Sequence, residues 1–261
     1  MSRRGFALLA VLWVITALSA LGAAGLLVAR LGSATTRNRV LLARAEWARE
    51  ACGEIVLARF AADASVREVP EVTLGRDTWC RASIEDPSAK INLNTVDREV
   101  LADLLGVILL PAKLADSIIA FRRRGPIYDA RQVSGIDSLT AVRLSPFVTT
   151  HGTGVVNVNT ASPEVLRTLP GMTEETVFIV MTRRTGRALQ TADELAGTLS
   201  RSARAIFLDN YAEFVRAAVF APPQLVVMLE GGVGGTPIVA RATLTAVPVP
   251  GRLAIIRRES E

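Results

Sequence analysis

The longest apolar run in the chain comes first. From Gly5 to Ala29 no position is charged and none is proline, which is about the ~20 residues a bilayer-spanning helix needs. Helical character continues beyond it. No proline occurs before Pro70, and Arg39 to Phe60 is rich in Ala, Leu, Arg and Glu, all good helix formers. Leu41, Ala45, Ala48, Cys52 and Ile55 recur at helical spacing, with Arg44, Glu46, Arg49 and Glu50 elsewhere, so this second half is amphipathic. The pattern predicts one nearly continuous helix over 6–62, about 85 Å long at 1.5 Å per residue. About 6–29 would lie in the membrane, and Gly22, Gly25 and Gly32 are the weak points.

After residue 62 the period changes. Val72 to Leu74 and Thr78 to Ile84 read as short strands around Gly75-Arg76, and Cys80, Ala82 and Ile84 share one face by alternation. Strand-like runs return near the end: Phe214 to Val219, Leu225 to Leu229, Ile238 to Val247 and Leu253 to Ile256. Pro222-Pro223 ends the first of these. The cluster Gly231-Gly232-Val233-Gly234-Gly235 lacks the Lys-Ser/Thr of a phosphate loop and opens no helix, so it reads as a hairpin loop.

Between the two strand regions lies an internal duplication. Ile91-Asn92-Leu93-Asn94-Thr95, Glu99-Val100-Leu101 and Leu104-Leu105-Gly106 recur 65 positions later. The second copy reads Val156-Asn157-Val158-Asn159-Thr160, Glu164-Val165-Leu166 and Leu169-Pro170-Gly171. Thr95 and Thr160 are N-cap candidates, with Glu99, Pro163 and Glu164 suited to the first turn. Each Gly punctuates a turn before another helix, Ala112 to Arg123 or Glu174 to Arg184, and Ser134-Gly135-Ile136 repeats the turn. Together the copies predict an all-α block over 91–210.

Composition narrows the classes. At 261 residues the chain holds an anchor plus one or two domains. Its net charge of +5 and pI of 10.0 permit contact with nucleic acid or anionic lipid but select neither, because the arginines are spread out. Arg3 and Arg4 precede the apolar run, which puts the N-terminus in the cytoplasm; Arg30, Arg37 and Arg39 weaken that asymmetry. The body would then be periplasmic, where Cys52 and Cys80, each on a face expected to be buried, can form a disulfide. The alternative is two inert buried thiols. His151 is the sole histidine and reads as a solvent-exposed loop residue, with no catalytic or metal-ligand spacing around it. No enzyme is expected, and no cofactor is required.

The short leader ending Arg3-Arg4-Gly5, followed by Phe6 and the apolar helix, resembles the type IV prepilin signal, which a dedicated prepilin peptidase cuts between Gly and Phe. The alternative is an ordinary uncleaved anchor. The Ile/Val-Asn-x-Asn-Thr repeat resembles helix-hairpin-helix modules such as those of competence DNA receptors. It also resembles the helical insertion of the general secretion pathway protein K family, the large minor pseudopilins of type II secretion. DNA-binding hairpins use a Gly-hydrophobic-Gly turn whose amides hold a phosphate. Here Gly106-Val107-Ile108 and Gly171-Met172-Thr173 lack the second glycine. Arg122-Arg123-Arg124 and Arg183-Arg184 could touch phosphate, but such runs are more often a solvated helix face. Leader and repeat in this order favour the pseudopilin resemblance, which covers nearly the whole chain; a membrane-anchored DNA receptor is the alternative.

That resemblance implies an α+β fold: a long N-terminal transmembrane pilin helix packed on a small antiparallel sheet, with a large all-α domain inserted between strands. The implied divisions are a leader over 1–5, the helix over 6–62, β structure over 63–90 and 211–261, and the inserted domain over 91–210. It implies cleavage between Gly5 and Phe6, N-methylation of Phe6, and a subunit at the tip of the pseudopilus serving assembly and export across the outer membrane. Most pilins carry Glu as the fifth mature residue, which pairs with a neighbour's N-terminal amine; here that residue is Ala10. A subunit lacking the Glu suits the tip, since an unneutralised charge in lipid is costly. Implied partners are pseudopilins of types I and J, then H, the prepilin peptidase, inner-membrane lipid, and a secreted substrate or the outer-membrane secretin. Related pseudopilins bind Ca²⁺; Asp77, Glu85 and Asp86 near strand ends offer oxygens for it, but no site is assigned.

Overall fold

The computed structural model describes residues 3–260, and side chains over 11–259. Helix α1 runs unbroken from Arg3 to Ala62, through Gly22, Gly25 and Gly32. From Val11 to Val40 every residue is exposed. Within that stretch the hydroxyls of Thr16, Ser33, Thr35 and Thr36 donate back to carbonyls of the preceding turn, so they stay satisfied without water.

Downstream α1 packs on a sheet. Strands β1 (Glu68–Gly75) and β2 (Thr78–Glu85) follow it. Next come β3 (Ile91–Asn92), α2 (Arg98–Val107), α3 (Lys113–Arg122), α4 (Ser138–Leu144) and β4 (Val148–Thr149). The second copy gives β5 (Val156–Asn157), α5 (Pro163–Leu166), α6 (Glu174–Arg184), α7 (Ala192–Thr198), α8 (Arg201–Asp209), α9 (Tyr211–Ala217) and β6 (Ala218–Val219). Strands β7 (Leu225–Val233), β8 (Val239–Val249) and β9 (Arg252–Ser260) close the chain. The five long strands form one sheet in the order β1-β2-β7-β8-β9, antiparallel throughout. Because β2 and β7 are direct neighbours, residues 86–224 leave and re-enter at one end of the pair.

One core lies between α1 and the sheet: Ala48, Cys52, Val56 and Phe60 meet Val69, Cys80, Ala82, Ile84, Leu225, Val227, Leu229, Leu244, Ala246 and Leu253. A second core lies wholly within the helical region, around Leu101, Leu105, Ile118, Leu166, Leu195, Phe207 and Phe214. The architecture is α+β, with the helices α2–α9 placed in the chain between two strands of the sheet.

Three expectations are corrected. The glycine cluster is only partly a hairpin loop: Gly234 and Gly235 do lie in the turn between β7 and β8, but β7 continues through Gly231 and Gly232 to Val233, two positions where only glycine fits. A Cβ at Gly231 would stand 2.3 Å from Arg49 N and 2.4 Å from Ala45 O, and one at Gly232 would stand 2.4 Å from the Trp79 indole. The run Phe214 to Val219 is not a strand but helix α9 followed by two extended residues. Phe207 and Phe214, seven positions apart, are both buried and pack edge-on at 4.7 Å; that helical spacing overrides the alternation. The helical region therefore runs on past 210. Arg49, assigned from sequence to the polar side of α1, is only 8% exposed, and its Nη1 has no hydrogen-bond partner among the described residues.

On the sheet's outer face Arg81, Glu230 and Arg241 stand in one row across β2, β7 and β8. Glu230 accepts from Arg81 Nε at 2.6 Å and Arg241 Nε at 2.9 Å. Arg241 first and Arg81 with it hold the Glu230 carboxyl below its ordinary 4.5. A depressed carboxyl stabilises the fold above its unfolded pKa and loses that contribution as pH falls through the folded value. Acid unfolding of the Glu230→Gln variant is thus expected to depend less steeply on pH below about 4.5 than that of the wild-type chain, as read by circular dichroism titration.

Candidate functional site

The duplicated motif shows the same chemistry twice. Asn94 Nδ2 donates to Ile127 O at 2.9 Å and Thr150 O at 3.3 Å, while its Oδ1 accepts from Ile127 N at 2.7 Å. Asn159 Nδ2 donates to Leu189 O at 2.8 Å and Phe220 O at 2.7 Å, and its Oδ1 accepts from Leu189 N at 2.9 Å. Each Asn thus fastens its turn to two distant backbone segments, as buried amides and carbonyls require. The short strands before them pair in parallel, β3 with β4 and β5 with β6. Asn159→Ala leaves three backbone groups unpartnered and is expected to cost about 2–4 kcal/mol. Asn159→Asp, which keeps the acceptor but loses the donor, should cost a comparable amount; urea midpoints decide.

The expected caps shift. Asp97 occupies the N-cap of α2 without a side-chain bond, and Ser162 caps α5 by accepting from Val165 N. Thr160 instead donates its hydroxyl to Asp86, and Thr95 packs against Gly154, where a Cβ would stand 2.2 Å from its Oγ1. Gly106 lies inside α2 rather than in the turn, whereas Gly171 makes its turn at φ +73°. Two of the arginines considered for phosphate face inward. Arg122 Nη1 donates to Leu93 O and Val96 O, and Arg184 Nη1 to Val158 O and Ala161 O. Burial lowers the Arg184 pKa from its usual value. Arg123, Arg124 and Arg183 remain exposed.

The three carboxylates considered for Ca²⁺ are used separately. Asp77 sits in a turn at φ +56°, and Glu85 pairs with Lys90 at 3.8 Å. Asp86 accepts from Ser88, from Asn157 Nδ2 at 2.7 Å and from Thr160 Oγ1 at 2.7 Å. It therefore joins the end of β2 to the second repeat, a role that no sequence signal marks. Among the described residues no group of three or more His, Cys, Asp or Glu is placed to hold a metal ion. His151 is exposed, and its carbonyl accepts from Asn92.

Cys52 on α1 and Cys80 on β2 are disulfide-bonded, their Cα atoms 5.7 Å apart. The side chains of Gly5, Phe6 and Ala10 lie outside the described residues, although the α1 backbone includes those positions. The apolar part of α1 is long and apolar enough to cross a membrane, and from Val11 to Ala29 none of it is buried. What these parts can do is mechanical: one half-helix offers an apolar surface to lipid or other helices, and the other half is fixed to a rigid body.

No family model and no curated protein matches the sequence. Among solved structures, a chain of the GspK-GspI-GspJ complex from the enterotoxigenic Escherichia coli Type 2 Secretion System matches at 13% identity with a TM-score of 0.55. The match covers 89% of this chain and 99% of that one. The likeness at this identity is one of fold, and it extends over nearly the whole of both chains.

Proposed function

We propose that the chain is a minor pseudopilin that caps the tip of a type II secretion pseudopilus, serving its assembly and protein export across the outer membrane. The observation that carries the reading is α1 itself: an uncharged apolar stretch from Val11 to Ala29 with every residue exposed, continuous with a half that packs on the sheet. The fold shared with a subunit of a pseudopilin complex supports it. In this reading the leader faces the cytoplasm, a prepilin peptidase cuts between Gly5 and Phe6, and Phe6 is N-methylated. The helix stays in the inner membrane and the remaining domains stand in the periplasm. Partners are pseudopilins of types I and J, then H, and at the distal end a secreted substrate or the secretin. Ala10 supplies no carboxylate to a neighbour's amine, which suits a subunit with none above it. The work involves no catalysis and no cofactor.

The test is the intact mass of the membrane-extracted protein, with and without co-expressed prepilin peptidase. Loss of residues 1–5 with one added methyl group is the expected result; an unprocessed N-terminus in both samples overturns the reading. A gel shift provides the counter-test: salt-sensitive binding of duplex DNA would point to a membrane-anchored DNA receptor.

A further inference from the structure

The two repeats differ at their turns. In the second copy the turn is covered: a Cβ at Gly171 would meet Asn210 Cβ at 3.1 Å, Phe207 Cα at 3.2 Å and Ile206 O at 3.4 Å. These atoms belong to the C-terminal end of α8 and its cap, and Met172 beneath them is buried. In the first copy the left-handed turn residue is Leu109, at φ +56°, and there the turn is open, since Leu109 is exposed. A later helix of each copy explains the difference. In both copies it begins at a side-chain N-cap, Asp137 for α4 and Ser200 for α8. But α4 has seven residues, whereas α8 has nine and is followed by the seven of α9. The shorter α4 is tied to its turn by Arg143, whose Nη2 donates to Ile108 O at 3.0 Å and Leu109 O at 3.3 Å.

What the short helix leaves uncovered is apolar. Leu109 is 84% exposed, and Leu139 and Val142 on α4 are 69% and 67% exposed. Val142 borders a shallow cavity that it shares with Tyr128, itself 74% exposed. Leu109 is also held at φ +56°, a left-handed conformation unfavourable for a branched residue. The chain thus keeps a strained leucine in water with no internal packing in return, a combination that points to function at the strained position.

We propose that Leu109, Leu139 and Val142 form a docking surface for an amphipathic helix of another protein, which lies over the first repeat's turn as α8 lies over the second's. Lys113 and Arg143, neither in an ion pair among the described residues, flank the strip, so the occupant carries an acidic border. A nucleic-acid phosphate suits it less, because Ile108 and Leu109 stand where a phosphate-binding turn has glycine. The surface follows from the repeat geometry and does not depend on which filament the chain joins.

The test uses the full chain in lipid nanodiscs. The probe is a stapled helix of about 18 residues, long enough to hold helical form, with leucines at i, i+3, i+4 and i+7 and glutamates on its other face. A control peptide has the same composition in scrambled order, and binding to empty discs is subtracted. Saturable binding is expected for the amphipathic peptide alone, with slowed amide exchange confined to 107–113 and 138–145. Leu139→Asp should weaken it about tenfold. Leu109→Gly should weaken it too while raising Tm by about 2–4 °C, because the backbone strain is relieved; that separates lost binding from lost folding. Equal binding of both peptides, no saturable binding, or protection elsewhere would each overturn the proposal. So would duplex DNA binding that Leu139→Asp abolishes.

Discussion

Gly231→Ala is expected to destabilise the chain by about 3–5 kcal/mol, an unusually large cost for one methyl group. The added Cβ would sit 2.3 Å from Arg49 N and 2.4 Å from Ala45 O, and both are backbone atoms of a helix that cannot rotate aside as a side chain can. The whole of α1 must lift from β7, which opens the core built on Ala48, Cys52 and Val56. Gly53 is a useful contrast: a Cβ there would lie 3.5 Å from the Leu229 side chain, an ordinary contact. Gly53→Ala should therefore be near neutral or stabilising, through its better helix propensity. Thermal unfolding of the two variants followed by circular dichroism decides the matter; a Gly231→Ala midpoint equal to wild type would refute the close crossing of α1 on β7.

Removing the disulfide is expected to cost about 3–4 kcal/mol by the loop-entropy relation for its sequence separation of 28. The cleaner measurement compares Cys52→Ala/Cys80→Ala with the oxidised wild-type chain, since serine would add two buried hydroxyls to a site that excludes water. Reduction of the wild-type chain should reproduce most of the shift. The two perturbations should not add. Cys80 is the direct cross-strand partner of Gly231, so the bond pins α1 at the place where the new methyl pushes it off. In the chain without the disulfide α1 can move away, and Gly231→Ala should cost less there than in the oxidised chain. Strict additivity would mean that the helix does not move as a body.

Much of this structure was legible in local pattern. The unbroken apolar run, the helical spacing from Leu41 to Ile55 and the absence of proline before Pro70 predicted α1 to within a few residues. Alternation predicted which face of β2 would be buried: Thr78, Cys80, Ala82 and Ile84 are. The duplicated Asn-x-Asn announced a repeat but not its purpose. Only in the folded chain do Asn94 and Asn159 meet Ile127, Thr150, Leu189 and Phe220, because those partners lie tens of residues away in sequence.

The errors fall where one element's fate depends on another passing over it. A glycine in a loop and a glycine beneath a crossing helix look alike in sequence, so Gly231 and Gly232 read as a turn until α1 and Trp79 are placed. Arg49 read as polar surface because its stem and head cannot be told apart by period; the close approach of α1 to β7 buries it. Phe214 fits periods of both 2 and 3.6, and its ring contact with Phe207 selects the helix. The sequence by itself determined most of the elements, the repeat and the apolar half-helix, since each is set by interactions within a few residues of chain. The tertiary structure alone decided the sheet order, the α1 crossing, the partners of the repeated asparagines and the open turn at Leu109. Those depend on backbone distances between segments far apart in sequence, which no local periodicity encodes.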